Sequence, residues 1–139
     1  MTIKKVLITS VVIWIIGTVF AWITCGNLFQ WVYQIEPTSL WKSPSEMMSS
    51  TNMLGLGFAG LIIAIMFVSV YTFIYKGISG EGVKRGMTYG FYVWLIGSTG
   101  MATLPFYMNI DTTVVIYWIT QALVLNAING AIVGAMISK

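Results

Sequence analysis

Histidine is absent from this chain, and only four acids and one cysteine occur in its 139 residues. Without an imidazole there is no common general base, no common metal or haem ligand, and no Ser-His-Asp or Cys-His arrangement. The lone cysteine, Cys25, excludes an intrachain disulfide and a C-x-x-C redox pair. Charge is also scarce, at 8% of residues, where soluble domains carry about 25%. A soluble fold of this size would expose more charge than that, so lipid is the expected solvent for most of the surface. The basic residues are scattered between apolar runs and form no stripe, so no nucleic-acid partner is expected. No catalytic, cofactor-binding or metal-binding constellation is legible. The chain reads as non-enzymatic.

Apolar sequence is what it has in quantity, 58% of the residues. Four runs, approximately 6–24, 52–75, 86–108 and 112–137, meet the roughly 20 apolar residues that a membrane helix needs. A helix satisfies its own backbone hydrogen bonds where no water is available. The expected fold is therefore all-α: one domain over 1–139, a bundle of four transmembrane helices, with a short interfacial helix or lid in the outer loop 25–51. Lys4, Lys5, Lys76, Lys84, Arg85 and Lys139 fall on one side of the spans and only Lys42 on the other. By the positive-inside rule both termini are cytoplasmic, in a multi-pass protein of the cell membrane. The first run has the basic flank of a signal peptide. Its length, and the lack of an A-x-A-like site in "VFAWITCGN", predict that it is retained as a helix.

A shift of 80 residues lays "KKVLITSVVIWIIGT" on "KRGMTYGFYVWLIGS". It matches Trp14 with Trp94, Gly17 with Gly97 and Thr18 with Ser98. Both segments start on the same side, so the pattern would be a parallel repeat, 4–75 and 84–138, about an axis normal to the membrane. Chance similarity between membrane helices is the competing explanation. The second helices of the two halves do not align in one consistent register.

No charged residue lies inside the four runs, which argues against a carrier that works through a membrane-embedded carboxylate. Polar uncharged residues do occur there. Gln121, Asn126 and Asn129 form a candidate intramembrane polar face, either as glue between helices or as the lining of a pocket or pore. Gly130 and Gly134 make a small-x-x-x-small pair, and Gly55, Gly60 and Gly97 are further candidates for close helix packing. On these residues the second, third and fourth spans are expected to meet through glycine, within the chain or at an oligomer contact. The inner loop "YKGISGEGVKRG" is no phosphate loop, because Val83 stands where the lysine is required. Asp111, just before the last run, reads as a helix cap, with a cation ligand as the lesser alternative.

The outer loop exceeds the about 2 to 8 residues that join adjacent helices. Leu28, Trp31, Val32 and Ile35 recur at helical intervals, which predicts a short helix with Trp31 and Tyr33 at headgroup depth, ended by Pro37. Interfacial anchoring is one role for this loop. The other is an outward contact surface made by Glu36, Trp41, Lys42, Glu46 and Asp111. The layout, with "EPTSLWKS" in the loop, "GMTYGFYVWLIG" in the third run and amides and glycines in the last, resembles a family of small prokaryotic four-helix integral membrane proteins of unknown function. That resemblance implies a fold but no activity. The chain does not resemble the four-helix eicosanoid and glutathione enzymes, whose site arginines and acids it lacks. Two functions are expected from these residues. One is association with itself, with membrane lipid or with a larger membrane complex. The other is a small channel or transporter for an uncharged or apolar solute, lined by the amides of the last span.

Overall fold

The computed structural model describes residues 2–137; Met1, Ser138 and Lys139, and with Lys139 one of the six inner cations, lie outside the described residues. Four long helices carry the fold. Helix α1, Ile3–Ile23, runs on into a π-helical turn at Thr24–Leu28. A one-turn helix α2, Pro44–Met47, precedes α3, Ser50–Ile74. Helices α4, Gly82–Ala102, and α5, Thr112–Ile137, complete the order. No strand occurs among the described residues.

In α1, α3 and α5 the apolar residues are spread all round the helix, the pattern of a helix that meets apolar surroundings on every side. Three segments have the length and composition of membrane spans: Ile3–Leu28, Ser50–Gly77 and Thr112–Ile137, with mean hydropathies of 2.4, 2.5 and 1.5. Helix α4 is not among them, because glycines, tyrosines, Lys84 and Arg85 dilute its apolar residues. It also ends earlier than the run 86–108 predicts. Pro105 cannot donate the hydrogen bond that would continue the helix, and residues Leu104–Phe106 form a separate 3-10 turn.

The helices pack as two pairs, α1 with α3 and α4 with α5, joined chiefly by contact between α1 and α5. The α4–α5 crossing is the closest. A methyl group at Gly86 would run into the Gly130 carbonyl oxygen, one at Gly90 into the Asn126 carbonyl oxygen, and one at Gly134 into that of Gly82. Lipid tails are as apolar as leucine, so close backbone approach replaces hydrophobic burial as the source of helix association. Span two does not share this seam. Its Gly57 and Gly60 face Trp14 of α1, and Gly55 has nothing within 4 Å of where a Cβ would stand. The expected three-way glycine contact is therefore a two-way one, since α3 takes α1 as its partner.

The end of the bundle beside the link from α3 to α4 is a packed core. Tyr89 donates its hydroxyl to the Phe67 carbonyl at 2.9 Å, and its ring lies 4.7 Å from Phe67 and 5.2 Å from Tyr71. Val68, Tyr71 and Val133 are fully buried beside them. The outside is the reverse, with Phe73, Ile96 and Leu54 exposed by 84%, 78% and 74%. Apolar exposure on this scale is compatible with a membrane protein.

Candidate functional site

The outer loop folds inward. Thr24–Leu28 continues α1, and Phe29 breaks the helix at φ −121°. Gln30–Gln34 then forms a 3-10 turn, so the single interfacial helix expected here is instead a π turn, two 3-10 turns and α2. Trp31 stays exposed, whereas Val32 is fully buried. Tyr33 is half-buried. Its ring meets Trp41 edge-on at 5.1 Å, its hydroxyl accepts the Trp118 indole N–H at 3.3 Å, and burial pushes its phenol above the ordinary pKa. Trp41 also meets Trp118 edge-on at 5.8 Å, so the loop is clamped to α5 by aromatic contacts.

The polar members of the candidate outer surface each serve a local turn. Glu36 accepts the Thr38 N–H at 2.9 Å. The Lys42 ammonium donates to the Asn52 side-chain oxygen at 2.8 Å, and Asn52 donates onward to the Glu46 carbonyl at 2.6 Å, tying α2 to α3. Glu46 closes a capping box with Ser43, accepting the Ser43 hydroxyl at 2.6 Å and N–H at 2.9 Å. These bonds hold the Glu46 carboxyl below its usual pKa. Asp111 accepts the Thr113 N–H at 2.7 Å and caps α5, which lowers its pKa in the same way. Lys42 and Glu46 are linked through Asn52, and Trp41 packs in one cluster with Ile110, the neighbour of Asp111.

The three amides of α5 separate. Gln121 reaches α1, donating to the Thr24 hydroxyl at 2.7 Å and the Cys25 sulfur at 3.0 Å. Tyr117 donates its hydroxyl to the same sulfur at 3.7 Å. A smaller cavity of about 390 Å³ lies against this cluster, between Phe20, Phe29 and Val124. Asn126 and Asn129 face elsewhere, into the centre of the bundle.

There the helix pairs part and leave a partly open cavity of about 740 Å³, lined by all four long helices, with Leu56 and Ile63 exposed at its edge. Phe67 and Ile13, both members of the inner core, form its floor. Its α1 lining spans Ile13 to Ala21, roughly 12 Å of helix at 1.5 Å per residue. The walls are apolar apart from Trp14, Thr18, Trp94, Ser98, Asn126 and Asn129. Asn126 donates to its own helix, at the Ala122 carbonyl, 2.8 Å away, and Trp94 donates to the Ile119 carbonyl at 2.9 Å. Three polar atoms with almost no accessible surface lack a hydrogen-bond partner among the described residues: the Trp14 indole nitrogen and the Asn129 side-chain oxygen on residues of this lining, and the Trp41 indole nitrogen in the loop. Unpartnered buried groups of this kind are uncommon, because each forfeits its interaction with water for nothing in return.

The lining follows the internal match in the sequence. Ile13, Trp14, Gly17, Thr18 and Ala21 of α1 line the cavity, and so do Val93, Trp94, Gly97, Ser98 and Met101 of α4, each 80 residues later. On the second helices, Met53, Leu56, Gly57 and Gly60 correspond to Ala122, Leu125, Asn126 and Asn129 at a shift of 69. A single shift misses this second set because the outer link is shorter between α4 and α5 than between α1 and α3. Sequence reasoning placed Asn126 and Asn129 on a polar face but left Trp14 out of the candidates; the signal for it was the match with Trp94. Comparison of the chain with protein-family models, with curated proteins and with solved structures finds no match. The functional reading therefore rests on geometry.

Proposed function

We propose that this chain is a small, non-enzymatic, multi-pass membrane protein that binds an uncharged, lipid-soluble molecule inside its helix bundle. One observation carries this reading: a cavity of about 740 Å³ between the helix pairs, apolar over most of its wall and edged by a few polar groups. That volume and that lining are the ordinary features of a small-molecule site. The absence of any charged residue from the lining favours a neutral occupant.

All four long helices cross the membrane in this reading, with α4 carried by its close contact with α5, and both termini are cytoplasmic. The two helix pairs are parallel repeats, and the site lies between them, as it does in repeat-built carriers. Binding is favoured over free passage because Phe67, Tyr71 and Tyr89 close the inner end. Transport of the same molecule would require that core to open. Association with other copies or with a larger complex is supported less well, since Gly86, Gly90, Gly130 and Gly134 are already engaged within the chain.

Native mass spectrometry from mild detergent tests the reading. The expected spectrum shows a neutral molecule retained by the wild type and lost in Gly97→Phe, which fills the cavity from a position with nothing within 4 Å. Bare protein in both spectra would overturn it.

A further inference from the structure

We infer that the occupant of the central cavity is an outer-leaflet phospholipid of no net charge, with one acyl chain seated between α3 and α4 and its phosphate at Lys42. This rests on the binding function and orientation proposed above and names the ligand class; the part inside the bundle is the uncharged chain. The helices pack in the order α3, α1, α5, α4, which leaves α3 and α4 as the ends of the series, without close backbone packing on each other. Phe67, Tyr71 and Tyr89 bridge them beside the α3–α4 link. Beyond that bridge the gap stays open. Met53, Leu56 and Ile63 line the cavity from α3 and are each more than half exposed, and Gly97, which lines it from α4, is exposed as well. The opening is therefore sideways, toward the hydrocarbon of the bilayer.

Depth and wall chemistry both fit a chain. The lining runs from Met53 to Phe67 on α3 and from Val93 to Met101 on α4, roughly 21 Å and roughly 12 Å at 1.5 Å per residue. One leaflet fills about half of the roughly 30 Å hydrocarbon core, so the cavity is about one leaflet deep. Its polar residues are turned away from it. Thr18, Ser98 and Asn126 donate to carbonyls of their own helices and Trp94 to that of Ile119, while the unpartnered Trp14 nitrogen and Asn129 oxygen have almost no accessible surface. Such a wall suits hydrocarbon and penalises a polar head, which would lose its water for no new partner.

The head finds its partners at the mouth. Asn52 precedes Leu56 by four residues, so it sits one turn above it on the same side of α3. Its oxygen accepts from the Lys42 ammonium at 2.8 Å, and its nitrogen donates to the Glu46 carbonyl. That bond engages one of the three ammonium donors. Lys42 is the only Lys or Arg in the links at this end, and both it and Glu46 are exposed. A zwitterionic head carries the complementary pair, a phosphate for Lys42 and a cation for Glu46. An anionic head would bring surplus negative charge to Glu46.

The test uses the full chain in lipid nanodiscs with diazirine probes that share one acyl chain: a phosphatidylethanolamine, a phosphatidylglycerol and a diacylglycerol. Labelled residues are mapped by mass spectrometry, and labelling at the exposed Phe73 and Ile96 reports chains outside the cavity. The expected result is saturable labelling of the Met53–Phe67 stretch by the phosphatidylethanolamine. A diazirine near the ester should mark the Met53 end and one near the chain terminus the Phe67 end. Gly97→Phe should abolish this labelling while Phe73 and Ile96 stay labelled, which shows that the bundle persists. Apparent affinity should fall about fivefold in Lys42→Glu, as for loss of one charge contact, and should hold in Lys42→Arg. Equal labelling by phosphatidylethanolamine and diacylglycerol, unmoved by Lys42→Glu, would overturn the phospholipid assignment and leave the binding function standing. A preference for diacylglycerol or phosphatidylglycerol would do the same. No saturable labelling of the cavity by any probe would overturn both.

Discussion

At the scale of single residues, two of the chain's four acids cap helix N-termini. Glu46 is an exposed carboxylate bonded to Ser43, the N-cap of α2, and Asp111 is a half-buried one bonded to Thr113 in the first turn of α5. Both pKa values are lowered in the folded state, Glu46 from 4.5 through the Ser43 hydroxyl and N–H, and Asp111 from 3.8 through Thr113. A depressed carboxylate contributes stability that is fully present above its unfolded pKa and is lost as pH falls through the folded one. The caps should therefore hold at neutral pH and fail only in acid below those reference values. Amide chemical shifts of Ser43 and Thr113, followed by NMR in micelles, should titrate with midpoints under 4.5 and 3.8 respectively. Midpoints at or above the reference values would contradict the capping geometry. Asp111 was legible as a cap because an acid just before an apolar run has a known physical use. The inward turn of Tyr33 was not, since an aromatic residue near a span end suits the headgroup layer equally well.

At the scale of elements, the glycines divide into two sets that the sequence does not distinguish. Gly86, Gly90, Gly130 and Gly134 let α4 and α5 touch along their backbones, whereas Gly97 and Gly100 have nothing within 4 Å of their Cβ positions. Spacing shows that glycines share a helix face but not which helix lies opposite. The prediction belongs to this level. Gly130→Ala forces a methyl against the Gly86 backbone and should cost about 1–3 kcal/mol, the usual range for overpacking. Gly97→Ala should leave the melting temperature in detergent unchanged. Equal melting temperatures for the two variants would show that the α4–α5 contact is not as close as described. Helices α1, α3 and α5 start and stop within about three residues of the apolar runs 6–24, 52–75 and 112–137. The end of α4 was missed because the apolar pattern persists past Ala102, while backbone chemistry at Pro105 stops the helix.

At the scale of the whole molecule, two helix pairs leave a partly open cavity between them, and its α1 and α4 lining residues lie 80 positions apart. Composition made the all-helical, apolar architecture legible, and the 80-residue match pointed to equivalent positions in α1 and α4. The cavity itself was not legible, because it depends on how far the pairs part above the core of Phe67, Tyr71 and Tyr89. Orientation is tested with membrane-impermeant thiol reagents on a Cys25→Ser background in intact cells. Ser45→Cys should react from outside and Ser79→Cys only after permeabilisation; the opposite order would invert the topology. The central claim is that a real space lies between the helix pairs at the depth of Gly97. Ile96 and Gly97 adjoin, but Ile96 is 78% exposed on the outer surface while Gly97 lines the cavity. The most direct test is the rate at which a small neutral methanethiosulfonate modifies Gly97→Cys and Ile96→Cys in nanodiscs, again without Cys25. The cavity predicts a reactive thiol at 97, protected by an added apolar occupant, beside an inert, lipid-facing thiol at 96. Equal reactivity, or two inert thiols, would contradict it.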